Sequence, residues 1–222
     1  MDYLASCTYS IRLIKKLESL DSENQLDFVL IDKAIVWAKK YHDGQFRKSG
    51  EPYYTHPLEV AYMVSEHLLK TDVIVASILH DIVEDTEVTA GMILDNFGRR
   101  IEEMVDMLTR DRPDGSKISV EESLLNAYQK HDKEVLLIKA IDRLHNMETI
   151  GAKTPQKQEK TSKETLELFF ILTASMGWSL ISERLYNISK NLNSTITSIK
   201  QEPKLGQGFF LPPLPNFGNK KH

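Results

Sequence analysis

The sequence predicts an all-α protein. Apolar residues recur at helical spacing in successive segments of the 222-residue chain, and many of these segments begin at a side chain suited to capping a helix. We find no convincing alternation of apolar and polar residues of the kind that marks a half-buried strand, and no internal repeat. We therefore expect one helical domain over residues 1–200, followed by a Pro- and Gly-rich tail over residues 201–222.

Each predicted helix has a local reason to begin or end where it does. Starts are indicated by side chains that can accept from a free backbone N–H, or by a proline suited to the first turn, namely Ser22, Thr89, Ser119, Asp132, Pro57 and Pro155. Glycines such as Gly98 and Gly177 indicate ends. Helices are expected over residues 22–42, 57–69, 71–84, 89–97, 99–109, 119–130, from 132 through Asp142, 154–176 and 180–199, with a loop at 111–116.

The helix over residues 71–84 carries the most informative feature of the chain. An apolar run ends directly in His80 and Asp81, and Glu84 and Asp85 follow one helical turn later. Carboxylates this close to a core repel one another unless a cation neutralises them or one takes up a proton. A metal site would resolve this repulsion, whereas a solvated helix end is the ordinary alternative for such a cluster.

Two further segments favour the metal site. His56 follows a turn-rich, basic and aromatic stretch at residues 47–55. Asp142 interrupts another apolar segment, and steps of four and three residues from it reach Asn146 and Thr149. These three residues would form one polar stripe on an otherwise apolar helix.

In this order, His56, His80-Asp81 and Asp142 resemble the ligand set of the HD-superfamily metal phosphohydrolases. From residue 34 to about 177 the chain resembles the hydrolase domain of the RelA/SpoT alarmone enzymes. The resemblance rests on RKSGEPY at 47–53, HDIVED at 80–85, DRLHNM at 142–147 and, more weakly, ETLE at 164–167. It implies an HD-type helical bundle with a metal site between helices. Because the chain is shorter than the multidomain members, it looks like a stand-alone small alarmone hydrolase.

The resemblance also implies roles at the metal site. His56, His80, Asp81 and Asp142 would hold the ion, and Glu84 and Asp85 would orient or deprotonate the attacking water. The ligand types alone suit Mn²⁺, Zn²⁺, Fe²⁺ or Mg²⁺, and the family points to Mn²⁺.

The substrate implied by the resemblance is a guanosine tetra- or pentaphosphate alarmone, hydrolysed to GDP or GTP and pyrophosphate. The expected substrate-binding residues are Arg47, Lys48, Ser49, Asn146, Thr149, Lys157 and Lys160. Lysines spaced like Lys157 and Lys160 also occur on solvated helix faces, which is the alternative for these two. Tyr53 is expected to pack beneath the loop at residues 47–53, and His145 to form a hydrogen bond within the helix bundle or to support the site from behind. The chain departs from the longer members after Glu167. A hydrolase of another nucleotide or 3′-phosphorylated cofactor, and a catalytically idle nucleotide-binding module, therefore stay as alternatives.

Composition excludes several other classes. A formal net charge of −4 argues against a nucleic-acid surface, and no apolar run or leader sequence suggests a membrane or secretion. A single cysteine, Cys7, excludes an internal disulfide framework and fits the reducing cytoplasm.

Apolar residues in the tail, such as Phe209 and Phe210, could dock on the body of the protein or on a second copy of the chain in a homo-oligomer.

Overall fold

The computed structural model describes residue 3 and residues 6–111 and 115–197. Within these residues the chain is helical and contains no β-strand, with only two isolated bridges, Phe46 to Pro52 and Asp111 to Lys117. The all-α prediction is therefore confirmed. The tail predicted at 201–222 lies outside the described residues, as do positions 112–114 of the predicted loop. No helix among the described residues is long and apolar enough to cross a membrane.

The chain divides into two compact units, Met1–His145 and Asn146–His222. The first unit contains α1 (Thr8–Leu20), α2 (Phe28–Tyr41), α3 (Thr55–Val64), α4 (Thr71–Leu79), α5 (Ile82–Asp85), α6 (Ala90–Phe97), α7 (Arg99–Leu108), α8 (Val120–Gln129) and most of α9 (Lys133–Glu148). The predicted extent of one domain, residues 1–200, stays a prediction.

The centre of the first unit is α4. Every residue from Val73 to Leu79 is buried, and the helix packs against α2, α3 and α7. Burying a Val, Leu or Ile side chain contributes about 1.5–3 kcal/mol relative to exposure, so α4 is held firmly by its neighbours. Whatever follows Leu79 in the sequence is therefore fixed in position at the edge of the core.

Local signals set several helix boundaries as predicted. The side chains of Thr89, Ser119 and Asp132 accept hydrogen bonds from backbone N–H groups three residues later, at 3.2, 3.0 and 3.0 Å. Gly98, at φ +84°, separates α6 from α7, and this left-handed conformation favours glycine. These interactions lie within a few residues of one another, which is why sequence analysis found them.

Other boundaries differ from the prediction. Helix α1 was not predicted, and α2 begins after Asp27 because the Asp21 carboxylate accepts from the N–H groups of Gln25 and Leu26 and holds the chain in a turn. The predicted single helix over 71–84 is wrong, because α4 ends at Leu79 and α5 begins at Ile82. In an unbroken helix the Ser77 carbonyl would accept from the backbone N–H of Asp81. Here His80 Nδ1 donates to this carbonyl at 2.8 Å.

The second unit is a short helical assembly. After α9 come a 3₁₀ turn (Ile150–Ala152), α10 (Pro155–Glu164), a π-helical stretch (Thr165–Phe170), α11 (Ile171–Ser175) and α12 (Ser179–Thr197). The helix predicted over 154–176 thus exists with a π-helical stretch inside it. Gly177, at φ +75°, ends the segment as expected.

Candidate metal centre

Two histidines and two aspartates converge in the first unit. His56 lies in α3, His80 and Asp81 lie in the break between α4 and α5, and Asp142 lies in α9. Nε2 of His56 is 3.0 Å from Oδ1 of Asp142 and 3.5 Å from Oδ2 of Asp81. Nε2 of His80 is 3.1 Å from the same Asp81 oxygen and 3.7 Å from Oδ1 of Asp142. The four residues chosen from sequence therefore lie together in space.

His80 turns one ring nitrogen toward this cluster. Its Nδ1 is 2.8 Å from the Ser77 carbonyl oxygen, and a carbonyl only accepts, so Nδ1 must carry the proton. In the neutral ring Nε2 is then unprotonated. This atom is buried and has no hydrogen-bond partner among the described residues, although Asp81 is close by. A buried acceptor aimed at two carboxylates is the arrangement expected of a metal ligand.

His145 supports His56 from behind. The Nδ1 atoms of the two rings are 2.8 Å apart, and the rings stack with centroids 4.9 Å apart. Burial and the charges of His56 and Arg47 lower the pKa of His145 to about 3, so it is the neutral acceptor and His56 Nδ1 is the donor. Nε2 of His56 is thereby left to face the carboxylates, which agrees with the expected supporting role of His145.

The carboxylates of the cluster stay ionised. Burial alone would raise the pKa of Asp81, but the nearby imidazoles of His80 and His56 lower it to about 2. Burial would likewise raise the pKa of Asp142, but hydrogen bonds with His56 and His80 hold it well below its usual value. Conversely, burial would lower the pKa of His80, but the Asp81 charge raises it well above normal. The cluster therefore favours a bound positive charge, which protons or a metal ion can supply.

The donor set and its spacing fit a divalent cation. Imidazole nitrogens and carboxylate oxygens suit first-row divalent metals. Ligands about 2.0–2.2 Å from an ion lie about 2.8–3.6 Å from their neighbours in octahedral or tetrahedral shells. The four nitrogen–oxygen separations here run from 3.0 to 3.7 Å. His56, His80 and Asp142 each offer an atom within 4.8 Å of the others, so these residues could hold a metal ion.

Tyr53 is tied to the cluster by a contact that sequence analysis did not reveal. Its hydroxyl donates to Oδ2 of Asp81 at 2.8 Å, and the same hydroxyl interacts with the Asp85 carboxyl group. Burial, with the charges of Asp81 and Asp85, raises the pKa of Tyr53, so the hydroxyl keeps its proton and remains a donor. The hydroxyl of a half-buried tyrosine usually has such a partner, and this tendency was the available sequence signal.

The two acidic residues of α5 have different surroundings. Burial and the Asp81 charge raise the pKa of Asp85. The Glu84 carboxylate accepts from Lys117 Nζ and, at 3.1 Å, from the backbone N–H of Arg110. Asp85 is therefore linked to the metal cluster, whereas Glu84 also holds the segment that follows α7.

The candidate substrate loop is a tight turn between α2 and α3. The Arg47 N–H donates to the Glu51 carbonyl at 2.8 Å, which places Lys48 and Ser49 at an exposed tip. Ser49 Oγ is 3.2 Å from the Glu51 carboxylate. Arg47 is only half-exposed, its Nη1 atom is buried, and its charge lowers the pKa of His145.

The remaining candidate substrate residues belong to the second unit. Asn146 lies in the last turn of α9, Thr149 precedes the 3₁₀ turn, and Lys157 and Lys160 are exposed on α10. Their contact with a substrate stays a prediction.

The fold and the cluster define a member of a known family. The HD domain family model matches residues 34–178, a segment that contains all four candidate ligands, and the chain belongs to this family.

Several named proteins are similar in sequence to this chain. The chain is 37% identical over 171 residues to a GTP pyrophosphokinase of Myxococcus xanthus, covering 73% of this chain and 23% of the relative. It is 36% identical over 159 residues to a guanosine-3′,5′-bis(diphosphate) 3′-pyrophosphohydrolase of Haemophilus influenzae, covering 68% and 23%. A protein of the same name from Aquifex aeolicus is 34% identical over 180 residues, covering 78% and 25%. The chain thus spans about a quarter of the length of the curated relatives it matches.

A solved structure is also similar. It is described as a metazoan ortholog of SpoT that hydrolyses ppGpp and plays a role in starvation responses. It is 21% identical, with a TM-score of 0.49, and the match covers 88% of this chain and 99% of that chain.

Proposed function

We propose that this protein is an Mn²⁺-dependent guanosine-3′,5′-bis(diphosphate) 3′-pyrophosphohydrolase of the reducing cytoplasm, which releases pyrophosphate and leaves GDP or GTP. The observation that carries the proposal is the convergence of His56, His80, Asp81 and Asp142 within the HD-family segment. Relatives from Haemophilus influenzae and Aquifex aeolicus are named for this reaction. The Myxococcus xanthus relative is named for a kinase reaction, but a cluster of two imidazoles and two carboxylates favours metal-dependent hydrolysis.

The ion would be held by Nε2 of both histidines and by the two aspartates. A bound divalent ion makes water far more acidic than in bulk, where its pKa is about 15.7. Mn²⁺ accepts this mixture of nitrogen and oxygen ligands.

The acidic residues of α5 would handle the proton of the attacking water. Asp85 supports this role because burial and Asp81 raise its pKa, which moves a carboxylate toward the range of a general base. Glu84 would share the role. Its pairing with Lys117 means that an anionic substrate would compete with Glu84 for that lysine and so release the carboxylate.

The substrate would be held through its base and its phosphates. Arg47 offers a planar guanidinium for stacking, Lys48 a charge for phosphate, and Ser49 a hydroxyl at the exposed tip of the loop. Further contacts to ribose and pyrophosphate are proposed for Asn146, Thr149, Lys157 and Lys160.

The test is a product analysis with metal-stripped protein. Guanosine tetraphosphate is incubated with and without Mn²⁺, and products are resolved by anion exchange for the wild type, Asp81→Ala and, as a matched control, the exposed Asp95→Ala. We expect Mn²⁺-dependent GDP and pyrophosphate from the wild type and the control, and none from Asp81→Ala. Metal binding without turnover would refute the alarmone assignment and direct the search to a panel of other nucleotides.

A further inference from the structure

His42 and Gln45 form a buried hydrogen-bonded pair beside the metal centre. His42 directly follows α2 and is 1% exposed. Its Nδ1 is 2.8 Å from Oε1 of Gln45, and its ring lies against that of Tyr53 with centroids 4.8 Å apart.

The hydrogen bonds of the pair fix the direction of each donor. Gln45 Nε2 donates to the backbone carbonyl of Asp85 at 2.8 Å, so Oε1 of the same amide is the acceptor. His42 Nδ1 must therefore carry the proton and donate to it. Burial lowers the pKa of His42, which favours this neutral ring. A chain of donors thus runs from His42 through Gln45 to Asp85.

The pair contacts both residues that link α5 to the metal cluster. Gln45 holds the backbone of Asp85, and its own carbonyl accepts from the Tyr53 N–H at 2.9 Å. Tyr53 in turn donates to Asp81. His42 and Gln45 therefore hold Tyr53 and the backbone of Asp85 in place, and no hydrogen bond that the structure gives for the pair reaches a candidate ligand.

We propose that His42 and Gln45 are positioning residues of the metal centre, holding Tyr53 against Asp81 and the end of α5 in the orientation that presents Asp85. The proposal deepens the hydrolase function proposed above and rests on it for the catalytic readout. Outer partners that orient metal ligands typically change metal affinity or activity by about tenfold to a hundredfold when they are lost.

Three variants separate positioning from simple packing. Gln45→Leu keeps the approximate side-chain size but removes both hydrogen bonds. His42→Phe keeps a ring on Tyr53 but removes the Nδ1 donor. His42→Asn restores a donor near the place of Nδ1, so it is the conservative rescue. The exposed positions Gln25→Leu and His131→Asn are the matched controls.

The first readout is the Mn²⁺ dissociation constant of the metal-stripped protein by isothermal titration calorimetry, with thermal unfolding recorded alongside. We expect Gln45→Leu and His42→Phe to weaken Mn²⁺ binding by about tenfold or more, and His42→Asn by less than about threefold. The second readout is turnover of guanosine tetraphosphate. In the first two variants kcat should fall while KM stays near the wild-type value, because the pair does not form part of the proposed substrate site.

A purely structural role would lower the melting temperature of Gln45→Leu and His42→Phe and leave Mn²⁺ affinity and kcat unchanged, and this result would overturn the proposal. Equal impairment of His42→Asn and His42→Phe would also overturn it. If the wild type binds Mn²⁺ but releases no pyrophosphate, the proposed function fails, while the affinities of the variants still decide the positioning role.

Discussion

Replacing Tyr53 by Phe removes one hydroxyl group from the candidate metal centre. The hydroxyl donates to the Asp81 carboxylate at 2.8 Å, while the ring rests between His42 and His56, with centroids 4.8 and 6.1 Å away. Phenylalanine keeps these ring contacts and removes only the donor. A hydrogen bond to a charged group contributes about 1.5–3 kcal/mol, which corresponds to about tenfold to 150-fold in an equilibrium constant.

We expect the lost free energy to weaken metal binding, because the same Asp81 oxygen otherwise contacts only His56 and His80 among the contacts that the structure gives. The Mn²⁺ dissociation constant of Tyr53→Phe should rise by about tenfold or more, measured by calorimetric titration of metal-stripped protein. Melting temperature should change little, since the ring stays packed. Tyr128→Phe, a partly exposed tyrosine in α8, is the control. If Tyr53→Phe binds Mn²⁺ and turns over substrate like the wild type, the assignment of Asp81 as an ion ligand oriented by Tyr53 is refuted.

Three further predictions follow. Glu84→Gln should lower kcat for pyrophosphate release by about 100- to 10,000-fold while circular dichroism stays unchanged, and near-normal turnover would remove Glu84 from the proposed chemistry. His145→Leu leaves the His56 Nδ1–H without its acceptor, so Mn²⁺ affinity in a calorimetric titration should fall by about tenfold to a hundredfold, and unchanged affinity would exclude the supporting role. Burial would raise the pKa of Asp132, but hydrogen bonds from Arg100 lower it. The Arg100–Asp132 pair therefore stabilises the fold above the usual titration range of Asp, and this stabilisation is lost as pH falls. Arg100→Met should therefore lower the free energy of unfolding by about 1 kcal/mol at pH 7 and by little near about pH 3 in urea titrations, and an equal loss at both pH values would contradict this linkage.

The helical character of the chain was largely readable from sequence. Helix α7 illustrates why, since Ile101, Met104, Val105 and Leu108 recur at helical spacing in the sequence and all four are buried. Periodicity and capping depend on residues within one or two turns of each other, so a linear pattern records them. The prediction failed where a side chain competed with the backbone, as His80 does at the end of α4.

At the candidate metal centre, the sequence predicted the ligands but not most of the side chains that support them. The types and order of His56, His80, Asp81 and Asp142 indicated which residues would converge, because they resemble the ligand set of the HD superfamily. The identity of their supporting partners did not follow from the pattern. His145 had been given a supporting role in general terms, but its stacking on His56, which lies 89 residues earlier in the chain, depends on how α3 and α9 pack.

What the sequence by itself determined is therefore the helical class, many helix boundaries and the donor set of the candidate metal site. Only the tertiary structure decided that Tyr53 donates to Asp81, that Glu84 pairs with Lys117, and that the His42–Gln45 pair stands behind Asp85. The physical reason is that caps and periodic faces are local properties of the chain. Hydrogen bonds between distant residues exist only after the core has fixed the distances between their helices.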